Sequence, residues 1–76
     1  MRRKKDNPLA DLRAYRVSRN ENQAEFWARF GVTQSGGSRY ESGRAVPAPL
    51  AMLVLAFADG VLDDAALGKL RKRATL

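Results

Sequence analysis

The strongest constraint on the fold is a run of ten residues without a polar side chain, PLAMLVLAFA, at 49–58. It begins with a proline, which suits the first turn of a helix, and Asp59 and Gly60 then end the helix. A helix that is apolar on every side has to be buried on every side. Because bilayer-spanning helices need roughly 20 such residues, the run predicts a core helix that other helices must cover.

The rest of the chain predicts an all-α fold of five helices, because no segment shows the period-2 alternation of a strand. The first helix is expected at about 8–17, with Asn7 as its cap and Pro8 in its first turn. The last helix is expected to begin at Asp63 or Asp64 and to carry a basic C-terminal end.

Two short helices are predicted between them, at about 23–30 and about 34–42. Asn22 is followed three residues later by Glu25, a pattern that resembles a capping box. Thr33 is the expected cap of the second of these helices. A glycine follows each helix, and glycine readily adopts the positive φ that ends a helix.

The composition excludes most catalytic and metal chemistry. Cysteine and histidine are both absent, which removes disulfides, thiolate or imidazole catalysis and the common zinc sites. Asp63 and Asp64 are the only clustered carboxylates; as helix neighbours they point apart, and no base or nucleophile accompanies them. We therefore expect no enzyme activity, no catalytic residue, no metal and no cofactor.

The basic charge indicates a polyanionic partner. The formal net charge is +6, and residues 45–68 contain no lysine or arginine, so the basic residues are concentrated in the two flanking segments. The polar sequence at 1–7 is expected to be a flexible basic arm. With no leader and no membrane-spanning run, we expect a cytoplasmic protein without a membrane partner.

The sequence NQAEFWARFGVTQ, followed by SRYESGR, resembles the helix-turn-helix of the lambdoid phage repressor and Cro family, the XRE-type regulators. The resemblance covers about 9–60. It implies a five-helix DNA-binding domain over 8–76 whose third helix lies in the major groove of double-stranded DNA. Members commonly bind a palindromic operator as a homodimer. No small-molecule effector site is evident.

The resemblance implies base contacts from the third helix. Gln34 is suited to adenine and Arg39 to guanine, and Ser35 and Ser38 carry short groups that reach base edges or phosphates. The alternative for each is an ordinary exposed polar residue. Phosphate contacts are implied for Gln23, Thr33 and Arg44.

Gly36 and Gly37 interrupt the predicted third helix, where each costs about 1 kcal/mol relative to alanine. In the resembling family a small residue of helix 2 faces a branched aliphatic of helix 3, and Trp27 and Gly37 occupy those positions here. We expect Gly37 to make room for the indole, and Gly36 to point outward near the DNA. Finally, the resemblance implies an ion pair between Arg16 and Glu41 that orients the third helix.

The apolar run leaves a surface for a second copy of the chain. Met52 and Leu55, together with Val61 and Leu62, are expected to be exposed in a monomer and to form the dimer interface with the last helix. The alternative is that the last helix folds back and covers them.

These features predict a sequence-specific transcriptional regulator, most simply a homodimeric repressor of its own or a neighbouring promoter. Small proteins of this kind resemble autorepressors of phages and mobile elements, including anti-CRISPR-associated regulators. The alternative is an antitoxin-type protein that binds a toxin and represses its operon.

Overall fold

The computed structural model describes residues 7–75, and every regular element in that range is helical. The predicted all-α five-helix fold is confirmed. The basic arm expected at 1–7 lies outside the described residues, apart from Asn7. The chain forms a short 3₁₀ turn and five α-helices: the turn at Pro8–Ala10, α1 at Leu12–Ser18, α2 at Gln23–Ala28, α3 at Gln34–Glu41, α4 at Ala48–Ala58 and α5 at Asp64–Ala74.

The first helix differs from its prediction, because Asp11 interrupts it. Asn7 caps only the 3₁₀ turn, and Asp11 has the non-helical angles φ −152° and ψ 87°. Its Oδ1 accepts a hydrogen bond from the backbone N of Ala14 at 3.0 Å and so begins α1. An aspartate that binds the backbone three residues ahead favours a helix start over a helix interior.

The caps of the central helices lie where the sequence predicts them. Asn22 Oδ1 accepts from the backbone N of Glu25 at 2.8 Å, and Glu25 Oε1 accepts from the backbone N of Asn22 at 3.0 Å, which completes a capping box. Thr33 Oγ1 accepts from the backbone N of Gly36 at 3.1 Å and begins α3. These bonds satisfy amide groups that have no partner inside their helices.

The core lies between α2, α4 and single residues of α1 and α5. Its centre is aromatic, with Phe26 packing edge-on to Trp27 at a centroid distance of 5.0 Å. Phe30 likewise meets Phe57 of α4 at 5.7 Å. Such edge-to-face pairs add to the stabilisation from buried apolar area. The buried apolar side chains are Leu12, Phe26, Trp27, Phe30, Val54, Phe57 and Leu67.

Arg29, at the end of α2, joins three parts of the fold. It donates through Nη1 and Nη2 to the two carboxylate oxygens of Glu21, both at 2.7 Å, and through Nε to Asp64 of α5, also at 2.7 Å. Its guanidinium lies 4.6 Å from the ring centroid of Phe57. Arg71 of α5 donates to the carbonyl oxygen of Arg29 at 2.9 Å. The sequence analysis assigned Arg29 no role, and here it holds α5 against the helix-turn-helix.

Candidate nucleic-acid interface

The turn between α2 and α3 is short and closed by backbone bonds. Gly31 has a φ of +76°, a region in which residues with a side chain are strained. The backbone N of Val32 donates to the carbonyl of Trp27 at 3.1 Å. Thr33 then adopts extended angles and caps α3. The turn therefore sets α3 at a defined angle to α2, as a helix-turn-helix requires.

The exposed face of α3 consists of polar side chains. Gln34, Ser35 and Arg39 are exposed, and Ser38 is half-buried. The exposed C-cap Ser42 shares this face, because it follows Ser35 by seven residues and Ser38 by four. Ser42 was not among the predicted contacts, although the spacing of the three serines places it on the same face; its Oγ donates to the carbonyl oxygen of Ser38 at 2.9 Å. Short hydroxyl groups flanked by a glutamine and an arginine suit close approach to base edges.

Behind this face, α3 packs on the indole of Trp27. The Trp27 side chain is fully buried. A Cβ at Gly37 would lie 2.5 Å from Trp27 Nε1 and closer still to Cγ and Cδ1. Real Cβ atoms do not approach other atoms this closely, so no side chain fits at Gly37 unless the indole moves.

Gly36 does not point outward, so that expectation is wrong. A Cβ at Gly36 would meet Val32 Cγ1 at 3.2 Å and Thr33 Oγ1 at 3.3 Å. The Cα–Cβ bonds of a helix tilt towards its N-terminus, so a side chain at this half-buried position would lie against the turn before α3. Both contacts are tight, and Val32 and Thr33 would have to shift slightly to admit a Cβ.

Glu41, at the end of α3, is the centre of a buried hydrogen-bond network. Its side chain is 3% exposed. Oε2 accepts from Arg16 Nε at 2.8 Å and from Trp27 Nε1 at 2.9 Å. Oε1 accepts from Arg16 Nη2 at 3.0 Å and from Gln23 Nε2 at 3.2 Å. Arg16 and Glu41 thus form the predicted ion pair, and it is bidentate. Arg16 Nη1 also donates to the carbonyl oxygen of Glu21 at 2.8 Å.

The environment of Glu41 favours its ionised form. Burial opposes ionisation, but the hydrogen bonds from Arg16, Trp27 and Gln23 outweigh it and hold the pKa of Glu41 below its ordinary value. The carboxylate therefore accepts hydrogen bonds and donates none.

The residues expected to contact phosphate lie at both ends of α3. Gln23 is half-buried, and its Oε1 accepts from Gln34 Nε2 over a long 3.5 Å, so the N-terminal ends of α2 and α3 adjoin. Thr33 is exposed beside them. Arg44 is exposed after the other end of α3, where its backbone N donates to the carbonyl of Arg39 at 3.0 Å. Neither Arg39 nor Arg44 pairs with a carboxylate among residues 7–75.

The surface expected to form a dimer is exposed only in part. Met52 is 69% exposed and Val61 is 74% exposed, whereas Leu55 is half-buried. Leu62 is also half-buried and packs against the core, so it is less exposed than expected. The link between α4 and α5 folds it inward. In α5 it is Leu67 that enters the core, and Met52 stays uncovered.

Two other classes of site find no support in the described part of the chain. None of the helices within 7–75 has the length and apolar character to cross a membrane. Over the same residues, no group of three or more acidic, histidine or cysteine side chains is placed to hold a metal ion.

Comparison with known proteins relates the chain to one kind of domain. A family described as RsaL-like HTH domain matches residues 13–55, which include α2, the turn and α3. A solved structure of the quorum-sensing repressor RsaL from Pseudomonas aeruginosa is 39% identical to the chain, with a TM-score of 0.75. The match covers 86% of this chain and 97% of that one. Among curated proteins, no match was found.

Proposed function

Since the chain belongs to the RsaL-like helix-turn-helix domain family, we propose that it is a homodimeric repressor that binds a palindromic operator in its own or a neighbouring promoter. The family and the 39% identity to a quorum-sensing repressor support a DNA-binding transcriptional repressor and not an enzyme. The more specific likeness to phage and mobile-element repressors stays a prediction.

The observation that carries the proposal is the exposed face of α3. Its side chains are hydrogen-bonding groups of modest size, and Arg39 and Arg44 have no carboxylate partner within 7–75 that would compete with DNA. In this proposal Gln34, Ser35, Ser38 and Arg39 face base edges, while Gln23, Thr33 and Arg44 face phosphates. Base contacts specify the sequence and phosphate contacts position the protein on it.

Two arginine variants separate these roles. Arg39→Ala is expected to cost about 1–3 kcal/mol of binding free energy on the operator and to relax the preference at one base pair. Arg44→Ala is expected to weaken binding evenly across sequences and to reduce the salt slope by about one unit, since each phosphate contact releases about one counterion. Fluorescence anisotropy on operator and scrambled duplexes, over a range of salt concentrations, measures both effects.

Arg13→Ala is the matched control, because Arg13 is an exposed arginine of α1 outside the proposed interface. Its salt slope is expected to equal that of the wild type. If Arg44→Ala shows the wild-type slope as well, Arg44 does not contact phosphate. If Arg39→Ala keeps every base preference, Arg39 does not read a base.

An apolar surface around α4 supports the dimer. Met52 borders a shallow depression whose lining includes Leu53 and Ala56. Leu53 also lines a groove between α4 and α5, where Leu70 is 42% exposed. The exposed apolar surface thus continues from Met52 to Leu70, and continuous surfaces of this kind favour a protein contact. In a dimer that binds both halves of a palindromic operator, the two α3 helices are expected to lie about one DNA turn, ~34 Å, apart.

Met52→Glu tests the dimer. Because Met52 is exposed, the change is expected to leave the helical fold intact, whereas in a dimer it buries a charge without a partner. Dissociation into monomers and operator binding more than about tenfold weaker are expected, since each 1.4 kcal/mol is a factor of ten. Sedimentation at micromolar concentration and anisotropy measure the two effects.

Val17→Glu is the control, because Val17 is a 53% exposed apolar residue on α1, outside the proposed interface. It is expected to leave assembly and affinity unchanged. A single wild-type chain bound to a non-palindromic site would contradict the homodimer. The antitoxin-type alternative stays a prediction, which co-purification with a toxin would test.

A further inference from the structure

A chain of hydrogen bonds runs from the core to the first residue of α3. Trp27 Nε1 donates to Glu41 at 2.9 Å, Gln23 Nε2 donates to Glu41 at 3.2 Å, and Gln34 Nε2 donates to Gln23 Oε1 at 3.5 Å. We propose that Trp27 is a positioning residue for base recognition: through Glu41 and Gln23 it sets the direction in which Gln34 presents its amide to DNA. This inference rests on the proposed role of Gln34 in base contact.

The chemistry of Glu41 decides which way the amide of Gln23 faces. Arg16 binds both carboxylate oxygens, so Glu41 is ionised and accepts hydrogen bonds only. Gln23 must therefore turn its NH₂ group towards Glu41. Its carbonyl oxygen then faces Gln34, where it attracts an N–H of that amide. A solvated glutamine can present either end of its amide. Here the contact with Glu41 fixes the orientation of the Gln23 amide, and the contact with Gln23 fixes that of the Gln34 amide.

Trp27 is required because it occupies the other oxygen of Glu41. Oε2 receives Arg16 Nε and the indole N–H, and Oε1 receives Arg16 Nη2 and Gln23. Without the indole donor, Oε2 keeps a buried acceptor site to which the NH₂ group of Gln23 is free to turn. The indole itself is fully buried and packed against Gly37.

The selected orientation has a consequence for sequence preference. With one N–H of Gln34 engaged by Gln23, the amide presents its oxygen and its second N–H to the groove. Adenine offers a matching donor and acceptor at N6 and N7, whereas guanine offers two acceptors. The network of Trp27, Glu41 and Gln23 thereby supports the adenine contact expected of Gln34.

The chain contains a single tryptophan, which permits a clean test. Biosynthetic replacement of Trp27 by 3-benzothienylalanine preserves the shape of the ring system and removes the N–H donor. The probes are a duplex that the wild-type chain selects from a random library, a scrambled duplex of equal composition, and the selected duplex with A·T changed to G·C at the base pair facing Gln34. The expected result is an affinity ratio of selected to scrambled duplex that falls about fivefold or more, the lower end of one base contact.

Two further variants show whether Trp27 acts through Gln23. Gln23→Ala is expected to lower the same ratio, and combining it with the Trp27 isostere is expected to lower it no further. Trp27→Phe, which also lacks the donor, serves as a second variant if the isostere folds poorly. Leu67→Ala is the control, since Leu67 is a buried core residue of α5 that makes none of the network's hydrogen bonds; the ratio is expected to stay at its wild-type value while thermal stability falls.

An equal loss of affinity for selected and scrambled duplexes, an unchanged ratio, or additive effects of the Trp27 and Gln23 changes would each overturn the positioning role. The proposed function fails separately. If Gln34→Ala leaves the ratio and the A·T preference unchanged, Gln34 reads no base, and the positioning role falls with it. If Gln34→Ala lowers the ratio and the isostere does not, only the positioning role is wrong.

Discussion

Trp27→Ala is expected to lower the free energy of unfolding by about 3–5 kcal/mol, the usual cost of removing a large buried aromatic side chain. The indole is fully buried, and its loss leaves a cavity against Gly37. It also removes one of the donors to the buried Glu41. Urea denaturation followed by far-ultraviolet circular dichroism measures the change, since the variant has no tryptophan fluorescence.

The residue at position 27 decides whether a side chain at position 37 stabilises or destabilises the fold. Gly37→Ile is expected to destabilise by about 1–3 kcal/mol, because the indole occupies the space that the new side chain needs. In the double variant with Trp27→Ala, the isoleucine partly fills the cavity. The double variant is therefore expected to be more stable than Trp27→Ala alone, which is a strongly non-additive result.

Gly68→Ala in α5 is the matched control. A Cβ at Gly68 would have its nearest neighbour at 4.0 Å, in Arg71, so alanine fits and gains up to about 1 kcal/mol of helix propensity. Gly37→Ala makes the same gain in propensity, but we expect it to destabilise. Two results would show that the indole is not the reason for glycine at position 37. One is a Gly37→Ala variant as stable as Gly68→Ala; the other is additive losses of stability for Trp27→Ala and Gly37→Ile in the double variant.

Arg29→Met is expected to cost about 1.5–3 kcal/mol, the usual contribution of hydrogen bonds to a charged group, because Glu21 then keeps only its weaker contact with Arg19. The variant keeps the aliphatic length and loses both hydrogen bonds to Glu21, whose side chain is 20% exposed. The bond to Asp64 contributes less, since that carboxylate is largely exposed. Urea denaturation measures the free energy of unfolding of Arg29→Met, of Arg19→Met and of the wild type for comparison.

Arg19 is a suitable control because it binds the same carboxylate from a more exposed position, with Nε 3.2 Å from Glu21 Oε1. A loss below about 1 kcal/mol is expected for Arg19→Met. Equal losses for the two variants would contradict the special role of Arg29.

The same ion pair makes stability depend on pH. Hydrogen bonds from Arg29 lower the pKa of Glu21 from 4.5 to about 2. Because the pKa is lower in the folded chain, the stabilisation is complete above pH 4.5 and is lost as the pH falls towards 2. Glu21→Gln is expected to flatten this slope without removing it, since the pKa of Glu41 is also lowered. An unchanged slope in Glu21→Gln would exclude Glu21 as its source.

Local signals in the sequence determine where the central helices begin and end. Asn22 and Glu25 form the capping box, and Thr33 caps α3, because each bond joins residues only three apart. Gly31 takes its positive φ in the turn after α2, which ends at Ala28 and so is two residues shorter than predicted. These signals, together with the absence of strand patterns, were sufficient to predict the helical fold. Asp11 is a capping residue of the same kind. Because Pro8 favours a helix start three residues earlier, the sequence predicted one continuous helix and not the break at Asp11.

Only the tertiary structure decides which polar and apolar side chains remain available to a partner. Arg29 and Arg39 both lie near the C-terminal ends of short helices, yet Arg29 is buried and binds carboxylates 8 and 35 residues away, while Arg39 stays exposed. Leu62 turns into the core and Met52 does not. Such outcomes depend on the angles at which helices pack, and a pattern of neighbouring residues contains no information on those angles. The sequence therefore determined the helices and the polar character of α3, and the packing determined which side chains of α3 stay exposed.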